Sequence, residues 1–196
     1  MRFWFLLCNQ NAPAIIREQR SNHYTEYIMT ITRALLTAAL LTTALTAKDL
    51  TVKLADAKGQ PVGTAKISEN KGGGVEIKLD VKNLVPGEHA LHFHGTAKCE
   101  GPAFTSAGGH FNPDQKHHGL DNPEGPHAGD MPNFTVKPNG TAKVTVADPR
   151  VNLGAGDHSL FVNGGTALVI HAKADDMKSD PAGNAGDRIA CGTITK

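Results

Sequence analysis

The sequence predicts an all-β protein, folded as an antiparallel sandwich or barrel of about eight strands. Glycine is abundant, with 21 residues, and aromatic residues make up only 5% of the chain, which favours short strands and turns. Short runs of alternating or β-branched residues recur between turns rich in Gly, Pro and Asn. These runs cover approximately residues 50–54, 62–67, 75–81, 88–94, 134–136, 141–146, 168–171 and 190–194.

Two long segments without strand character interrupt this pattern. One runs from Gly95 to about Pro132, and the other from about Asp175 to Arg188. Long loops in a compact domain are usually functional or disordered. The first loop holds four of the ten histidines, which favours a functional loop.

The N-terminal residues are predicted to lie outside the folded domain. An apolar run, 34–45, follows a short start with one positive charge, which is typical of a signal peptide and too short for a transmembrane helix. We therefore expect residues 1–28 to be an upstream extension of the reading frame, 29–47 a signal peptide and 48–196 the domain. A helix packed on the domain is the alternative for the N-terminal segment.

Charge and cysteine content narrow the class of protein. The formal net charge of the chain is +1, which gives no general attraction for nucleic acid, so we expect no nucleic-acid partner. Because the apolar run would be removed with the signal peptide, we also expect no membrane span after processing. Export implies the periplasm or the extracellular space, where Cys99 and Cys191 can form a disulfide. Two free thiols are the alternative, and Cys8 would be lost with the leader.

Seven of the ten histidines lie within residues 89–127, a density that suggests metal binding. His92 and His94 alternate with Phe93 in a predicted strand, so their side chains project from the same face. Two imidazoles on one strand suit copper or zinc. His171 ends another apolar strand, where a buried structural histidine is the commoner interpretation.

The first long loop adds further candidate ligands, three imidazoles and a carboxylate. They are His110, His118, His127 and Asp130. This donor set suits a closed tetrahedral zinc site. It would also fix the loop, because metal binding contributes directly to the folding free energy. A solvated loop residue is the alternative for any one of these histidines.

Five segments together resemble the copper/zinc superoxide dismutase family: HFHG, SAGGHFNP, KHHGLDNPEGPHAGD, LVIHAKADD and GNAGDRIACG. They occur in the order of the family with close to its spacing, and the likeness spans about residues 48–196. The resemblance implies an eight-stranded Greek-key β-sandwich or barrel with two functional loops. It also implies disproportionation of superoxide to oxygen and hydrogen peroxide by Cu(II)/Cu(I) cycling.

The resemblance implies a ligand set for each metal. The copper ligands would be His92, His94, His110 and His171. The zinc ligands would be His110, His118, His127 and Asp130. His110 would be shared as an imidazolate. His117 competes with His118, but the position of His118 between His110 and His127, directly before Gly119, matches the family motif better.

Two further features follow from the resemblance. Asp175 resembles the carboxylate that links a copper-ligand histidine to a zinc-ligand histidine, here His92 and His118, and such partners fix ring orientation. Cys99 and Cys191 match the disulfide of the family, which would tie the first loop to the last strand.

Arg188 and His110 are the residues to which the resemblance assigns catalytic roles. Arg188 resembles the arginine beside copper, where a fixed guanidinium suits a small anion. An ordinary surface cation is the alternative for Arg188. His110 would accept and return a proton during the cycle. Lys173 and Lys178 are candidate contributors to attraction of the anion.

The chain combines features of two branches of the family, so the oligomer stays open. His94 and Cys99 are five residues apart, as in bacterial members, whereas the KHHG and KADD segments resemble the eukaryotic form. Whether the chain forms a homodimer stays open, because the two branches pair through different surfaces. The rival function is an exported module that stores or delivers copper or zinc without turnover.

Overall fold

The computed structural model describes residues 49–196, which form nine strands and two single-turn 3₁₀ helices. The strands are β1 (Leu50–Asp56), β2 (Pro61–Glu69), β3 (Val75–Val81), β4 (Gly87–His89), β5 (Leu91–His94), β6 (Phe134–Val136), β7 (Ala142–Asp148), β8 (Thr166–His171) and β9 (Arg188–Ile194). The 3₁₀ helices are Thr105–Ala107 and Val162–Gly164.

Seven strands form one sheet in the order β5-β8-β9-β1-β2-β3-β7, and β4 pairs with β6 in a second sheet. Every strand pair is antiparallel. The last strand lies beside the first, and β7 returns to β3 after a long connection, which is a Greek-key arrangement. The predicted all-β antiparallel fold is confirmed.

Alternating side chains explain why the consecutive hairpins β1-β2-β3 bury one face. In β3, Val75, Ile77 and Leu79 are buried, whereas Lys78 and Asp80 face solvent. Successive strand residues point to opposite sides of a sheet, so the apolar set enters the core together.

The run predicted as one strand over 88–94 is two strands in the structure. β4 pairs with β6, and β5 pairs with β8. At the break, the Ala90 amide donates to the Lys173 carbonyl at 2.9 Å, and its carbonyl accepts from the His171 amide at 3.0 Å. The predicted run 88–94 is therefore divided at Ala90, because apolar alternation does not reveal a change of partner strand.

The two predicted loops are present, as the β5–β6 connection (95–133, called the ligand loop below) and the β8–β9 connection (172–187, the second loop). The ligand loop lies along β5: the Phe93 amide donates to Gly129 at 2.9 Å, and the Phe111 amide donates to Phe93 at 2.8 Å. A third connection, 149–165, was not predicted to matter. The ligand loop therefore pairs with the free edge of β5.

The predicted disulfide between Cys99 and Cys191 is confirmed. It lies in a small apolar cluster that packs the ligand loop on β8 and β9. The other members are Phe104, Ala107, Ala167 and Val169. The bond joins residues 92 apart in sequence, a separation at which a disulfide stabilises by about 4 to 5 kcal/mol in the chain-entropy account.

The predicted extension 1–28, the predicted signal peptide 29–47 and Cys8 lie outside the described residues. Within residues 49–196, no helix has the length and apolar character that crossing a membrane requires.

Candidate metal centre

Strand β5 presents two imidazoles to the ligand loop. Leu91 and Phe93 enter the main core, so His92 and His94 point the other way, and both are fully buried. The antiparallel partner β8 ends at His171, whose Nε2 lies 3.4 Å from His94 Nε2. These three histidines therefore meet on the loop-covered face of two paired strands.

His110 lies at the centre of two groups of candidate ligands. Bridge pairing with His94 holds it against the edge of β5. One group is His92, His94, His110 and His171, and the other is His110, His118, His127 and Asp130. Within each group, one ligand atom from every residue lies within 4.8 Å of the others. The structure thus brings all seven predicted ligands together, with His110 shared.

The spacing of the second group suits one tetrahedral cation. The Nδ1 atoms of His110, His118 and His127 lie 2.8, 3.1 and 3.3 Å from Asp130 Oδ1. Ligands bound to zinc at about 2.0–2.1 Å in a tetrahedron lie roughly 3.3 Å apart. Three nitrogens and one oxygen that converge in this way fit zinc.

Unpaired buried nitrogens show that the first group also fits a metal. His92 Nδ1 and His110 Nε2 are buried and have no hydrogen-bond partner among the described residues. An unsatisfied buried polar atom costs free energy, so such atoms need an explanation. A cation held by imidazole nitrogens supplies one, and a set of four imidazoles suits copper.

Asp175 joins the two groups from behind. Its Oδ2 lies 2.7 Å from His92 Nε2, and its Oδ1 lies 3.0 Å from His118 Nε2. Burial alone would raise the pKa of Asp175, but the hydrogen bonds from His118 and His92 outweigh it and hold this pKa well below its usual range. The carboxylate therefore accepts from the ring nitrogen of each histidine that faces away from the metal position.

Arg188 lies beside the four-imidazole group. Its Nη1 donates to Phe104 O and its Nη2 to Gly108 O, both at 2.7 Å. The Gly108 carbonyl also accepts from His94 Nδ1 at 2.9 Å. Arg188 and His94 thus share one acceptor, which fixes the guanidinium relative to a candidate copper ligand.

Burial keeps the four-imidazole group neutral. It lowers the pKa of His94 to about 2 and the pKa values of His110 and His171 to about 4. Burial acts on His118 in the same direction, but hydrogen bonds to Asp130 and Asp175 outweigh it and raise the pKa of His118 to about 9. Metal ligands must be deprotonated, so an ion entering here would release a proton from His118.

Within residues 49–196, the remaining histidines lie outside both groups. His117 is exposed and pairs with Asp180, so His118, and not His117, lies among the candidate ligands. His89 is buried, and its two ring nitrogens each lie 2.7 Å from a backbone carbonyl, of His171 and of Val85.

Sequence reasoning assigned no role in the site to three residues that touch the ligand groups. Asn133 bonds to the backbone of Asp175, Asp180 accepts from the His118 amide at 2.6 Å, and Arg150 donates to the Asp130 carbonyl. Each acts through a backbone group, for which the sequence carries no motif. Position was the available signal for two of them, since Asn133 is three residues after Asp130 and Asp180 lies in the second predicted loop.

Comparisons with known proteins agree with the two groups of candidate metal ligands described above. The model of the copper/zinc superoxide dismutase family matches residues 62–194. A Cu-Zn superoxide dismutase of Aquifex aeolicus is 54% identical over 143 residues, which are 72% of this chain and 84% of that protein. The corresponding enzyme of Caulobacter vibrioides is 40% identical over 146 residues, 73% of this chain and 82% of that protein.

Solved structures agree with these relatives. The Cu/Zn superoxide dismutase from Brucella abortus matches with a TM-score of 0.63 at 32% identity, over 75% of this chain and 99% of that one. A superoxide dismutase-like protein from Bacillus subtilis matches with a TM-score of 0.73 at 37% identity, over 75% and 99%. This chain belongs to the copper/zinc superoxide dismutase family.

Proposed function

We propose that this chain is an exported superoxide dismutase, which converts two superoxide ions and two protons into one oxygen and one hydrogen peroxide molecule. The observation that carries the proposal is the position of His110 between two ligand groups. Its Nδ1 lies 2.8 Å from Asp130 Oδ1, while its Nε2 is buried without a partner among the described residues. An imidazole with Nδ1 in the second group and Nε2 buried but unpartnered suits a bridge between two cations.

The two ligand groups would hold different metals. Copper would be held by His92, His94, His110 and His171. Zinc would be held by His110, His118, His127 and Asp130. Copper supplies the exchange of single electrons, and zinc, which has no redox chemistry, supplies a fixed positive charge beside the shared ring. Asp175 orients His92 and His118 by accepting from both rings.

His110 and Arg188 are the protein residues that would take part in the reaction directly. His110 Nε2 is the nitrogen able to hold and return a proton, because Nδ1 faces Asp130. Arg188 would bind the anionic substrate and orient it, since two carbonyl oxygens fix its guanidinium in place. Burial of the imidazoles excludes water from the rest of the site.

Export rests on the sequence of the leader and on the disulfide. A bond between Cys99 and Cys191 persists in oxidising compartments such as the periplasm or the extracellular space. Processing would remove residues 1–47 and leave 48–196. Light scattering of the mature protein tests whether it forms a homodimer.

The test is metal analysis of the mature protein together with a superoxide assay of Arg188→Ala. We expect turnover to fall roughly 10-fold or more, with a weaker salt dependence, while copper and zinc are retained. Lys143→Ala, on the outer face of the sheet, is the matched loss of an exposed cation and should have no effect. A fully metallated wild type that is inert towards superoxide would instead establish the storage or delivery module.

A further inference from the structure

A buried carboxyl lies behind the second ligand group, the proposed zinc site, and takes no part in the chemistry described above. Asp148, the last residue of β7, is 0% exposed. Its Oδ1 accepts from Arg150 Nη2 at 2.9 Å and from the Arg150 amide at 3.0 Å. The Arg150 side chain is 25% exposed, so the pair is largely shielded from solvent. Burying a carboxyl and a guanidinium together costs free energy, and the hydrogen bonds between the two groups offset part of that cost.

The same nitrogen of Arg150 makes a second contact. Nη2 also donates to the backbone carbonyl of Asp130, the carboxylate ligand of the zinc group. One guanidinium nitrogen thus connects a buried carboxyl at the end of β7 with the peptide of a metal ligand. Because β7 belongs to the seven-stranded sheet, this contact holds the Asp130 backbone against that sheet.

We propose that Arg150 is a positioning residue for zinc. It holds the Asp130 peptide against the Asp148 end of β7. The inference rests on the proposed function, since it takes the second ligand group to be the zinc site. Asp130 Oδ1 must meet three ring nitrogens at 2.8–3.3 Å. A ligand displaced by more than about 0.5 Å no longer has the productive geometry.

The Asp130 side chain is fixed from one side and its backbone from the other. Its Oδ2 accepts from the Gly119 and His127 amides at 2.9 and 3.0 Å, contacts that lie within the ligand loop. Those bonds move with the loop, whereas the Arg150 contact comes from outside it. Arg150 therefore limits motion of the ligand loop as a body, which contacts internal to the loop do not.

A second link ties the Arg150 segment to the same loop. His158 Nδ1 lies 2.8 Å from the Arg150 carbonyl, and its Nε2 lies 3.1 Å from Asp114 Oδ1. Asp114 belongs to the ligand loop, four residues after His110. The connection 149–165 thus supports the loop at two points, through Arg150 at Asp130 and through His158 at Asp114.

The experiment compares zinc loss from the holoenzyme in the wild type and in Arg150→Met, which keeps the apolar stem and removes the donor. Zinc release to a colorimetric chelator in excess gives the rate. Loss of an outer contact to a metal ligand typically costs 10- to 100-fold in affinity, so we expect release about 10-fold faster or more. The visible spectrum of Co(II) substituted for zinc should also change. Lys143→Met, which removes an exposed cation paired with Asp80, is the matched control.

The double variant Asp148→Asn/Arg150→Met covers the case in which the single variant does not fold. It removes both charges, so no unpaired buried carboxylate is left, yet the Asp130 carbonyl still loses its donor. Faster zinc release is expected here too. Zinc release within about twofold of the wild type, with an unchanged Co(II) spectrum, in whichever variant folds would overturn the inference, even if thermal stability falls. A wild type that binds no zinc would instead overturn the proposed function.

Discussion

Asn133 and Asp175 exchange two hydrogen bonds: Asn133 Nδ2 donates to the Asp175 carbonyl, and the Asp175 amide donates to Asn133 Oδ1, each at 2.9 Å. Asn133 directly precedes β6, whereas Asp175 lies in the second loop. The side-chain amide thus fixes the backbone of the residue whose carboxylate joins His92 to His118. We therefore expect this contact between two segments to orient a histidine ring in each of the two ligand groups.

Asn133→Ala is therefore expected to loosen both metals. The variant loses both bonds to Asp175, so its carboxylate no longer orients the two rings, and we expect metal retention to fall about 10-fold or more. Copper and zinc content after dialysis against a chelator measures this effect. Asn139→Ala, which removes an exposed turn asparagine that caps Thr141, is the control. Equal retention in the two variants would contradict the assigned role of Asn133.

The backbone of Gly183 packs directly against the Asp175 carboxylate. Its φ is +61°, and a Cβ here would overlap Asp175 Oδ1 and approach His118 Nε2 to 2.7 Å. We expect Gly183→Ala to displace the second loop, with a loss of stability of about 1–3 kcal/mol and lower metal retention. Gly59→Ala is a matched control, since Gly59 has a φ of +77° but a Cβ at that position would meet nothing within 4 Å. Chemical unfolding with metal analysis would refute the prediction if both variants behaved alike.

His117 and His118 give a direct test of the ligand assignment. His118 is fully buried among the ligands, whereas the side chain of His117 is 55% exposed and pairs with Asp180. We expect His118→Gln to lose zinc, with an affinity decrease of more than about 100-fold, and His117→Gln to change it less than about twofold. Zinc titration of the metal-free proteins measures both. The opposite ranking would make His117 the ligand.

The pattern of the sequence predicted most strands because its signals are local. Alternation in β3 places Ile77 and Leu79 on one face without knowledge of any partner strand. The division of 88–94 at Ala90 depends instead on which strands pair with each half, β6 and β8, and this is a long-range property. Period-two alternation cannot express it.

The candidate ligands could be named from the sequence for a related reason, whereas the residues that hold them in place could not. Metal ligands need particular side chains, so their residue types are visible in the sequence. Asn133, Asp180 and Arg150 act on backbone groups of Asp175, His118 and Asp130. Any backbone offers the same amide and carbonyl, so no residue type at the receiving position reveals the contact.

Asp148 should make the stability of the protein depend on pH in a particular direction. Burial raises the pKa of Asp148 to about 7, although Arg150 acts to lower it. In the unfolded chain this carboxyl has a pKa of about 4. The folded state therefore binds the proton more tightly, and the contribution of Asp148 to the free energy of unfolding falls as pH rises from about 4 to about 7.

The comparison that isolates this effect is the wild type against Asp148→Asn, whose amide does not titrate. The ligand histidines titrate in both proteins, so their contribution cancels in the difference between the two free energies of unfolding. We expect that difference, wild type minus variant, to fall by up to a few kcal/mol over this range and to level off above it. Urea unfolding at a series of pH values measures it. A difference that stays level over this range, with any rise confined to pH values below about 4, would mean that Arg150 holds Asp148 ionised and that the pair is a buried salt bridge over the whole range.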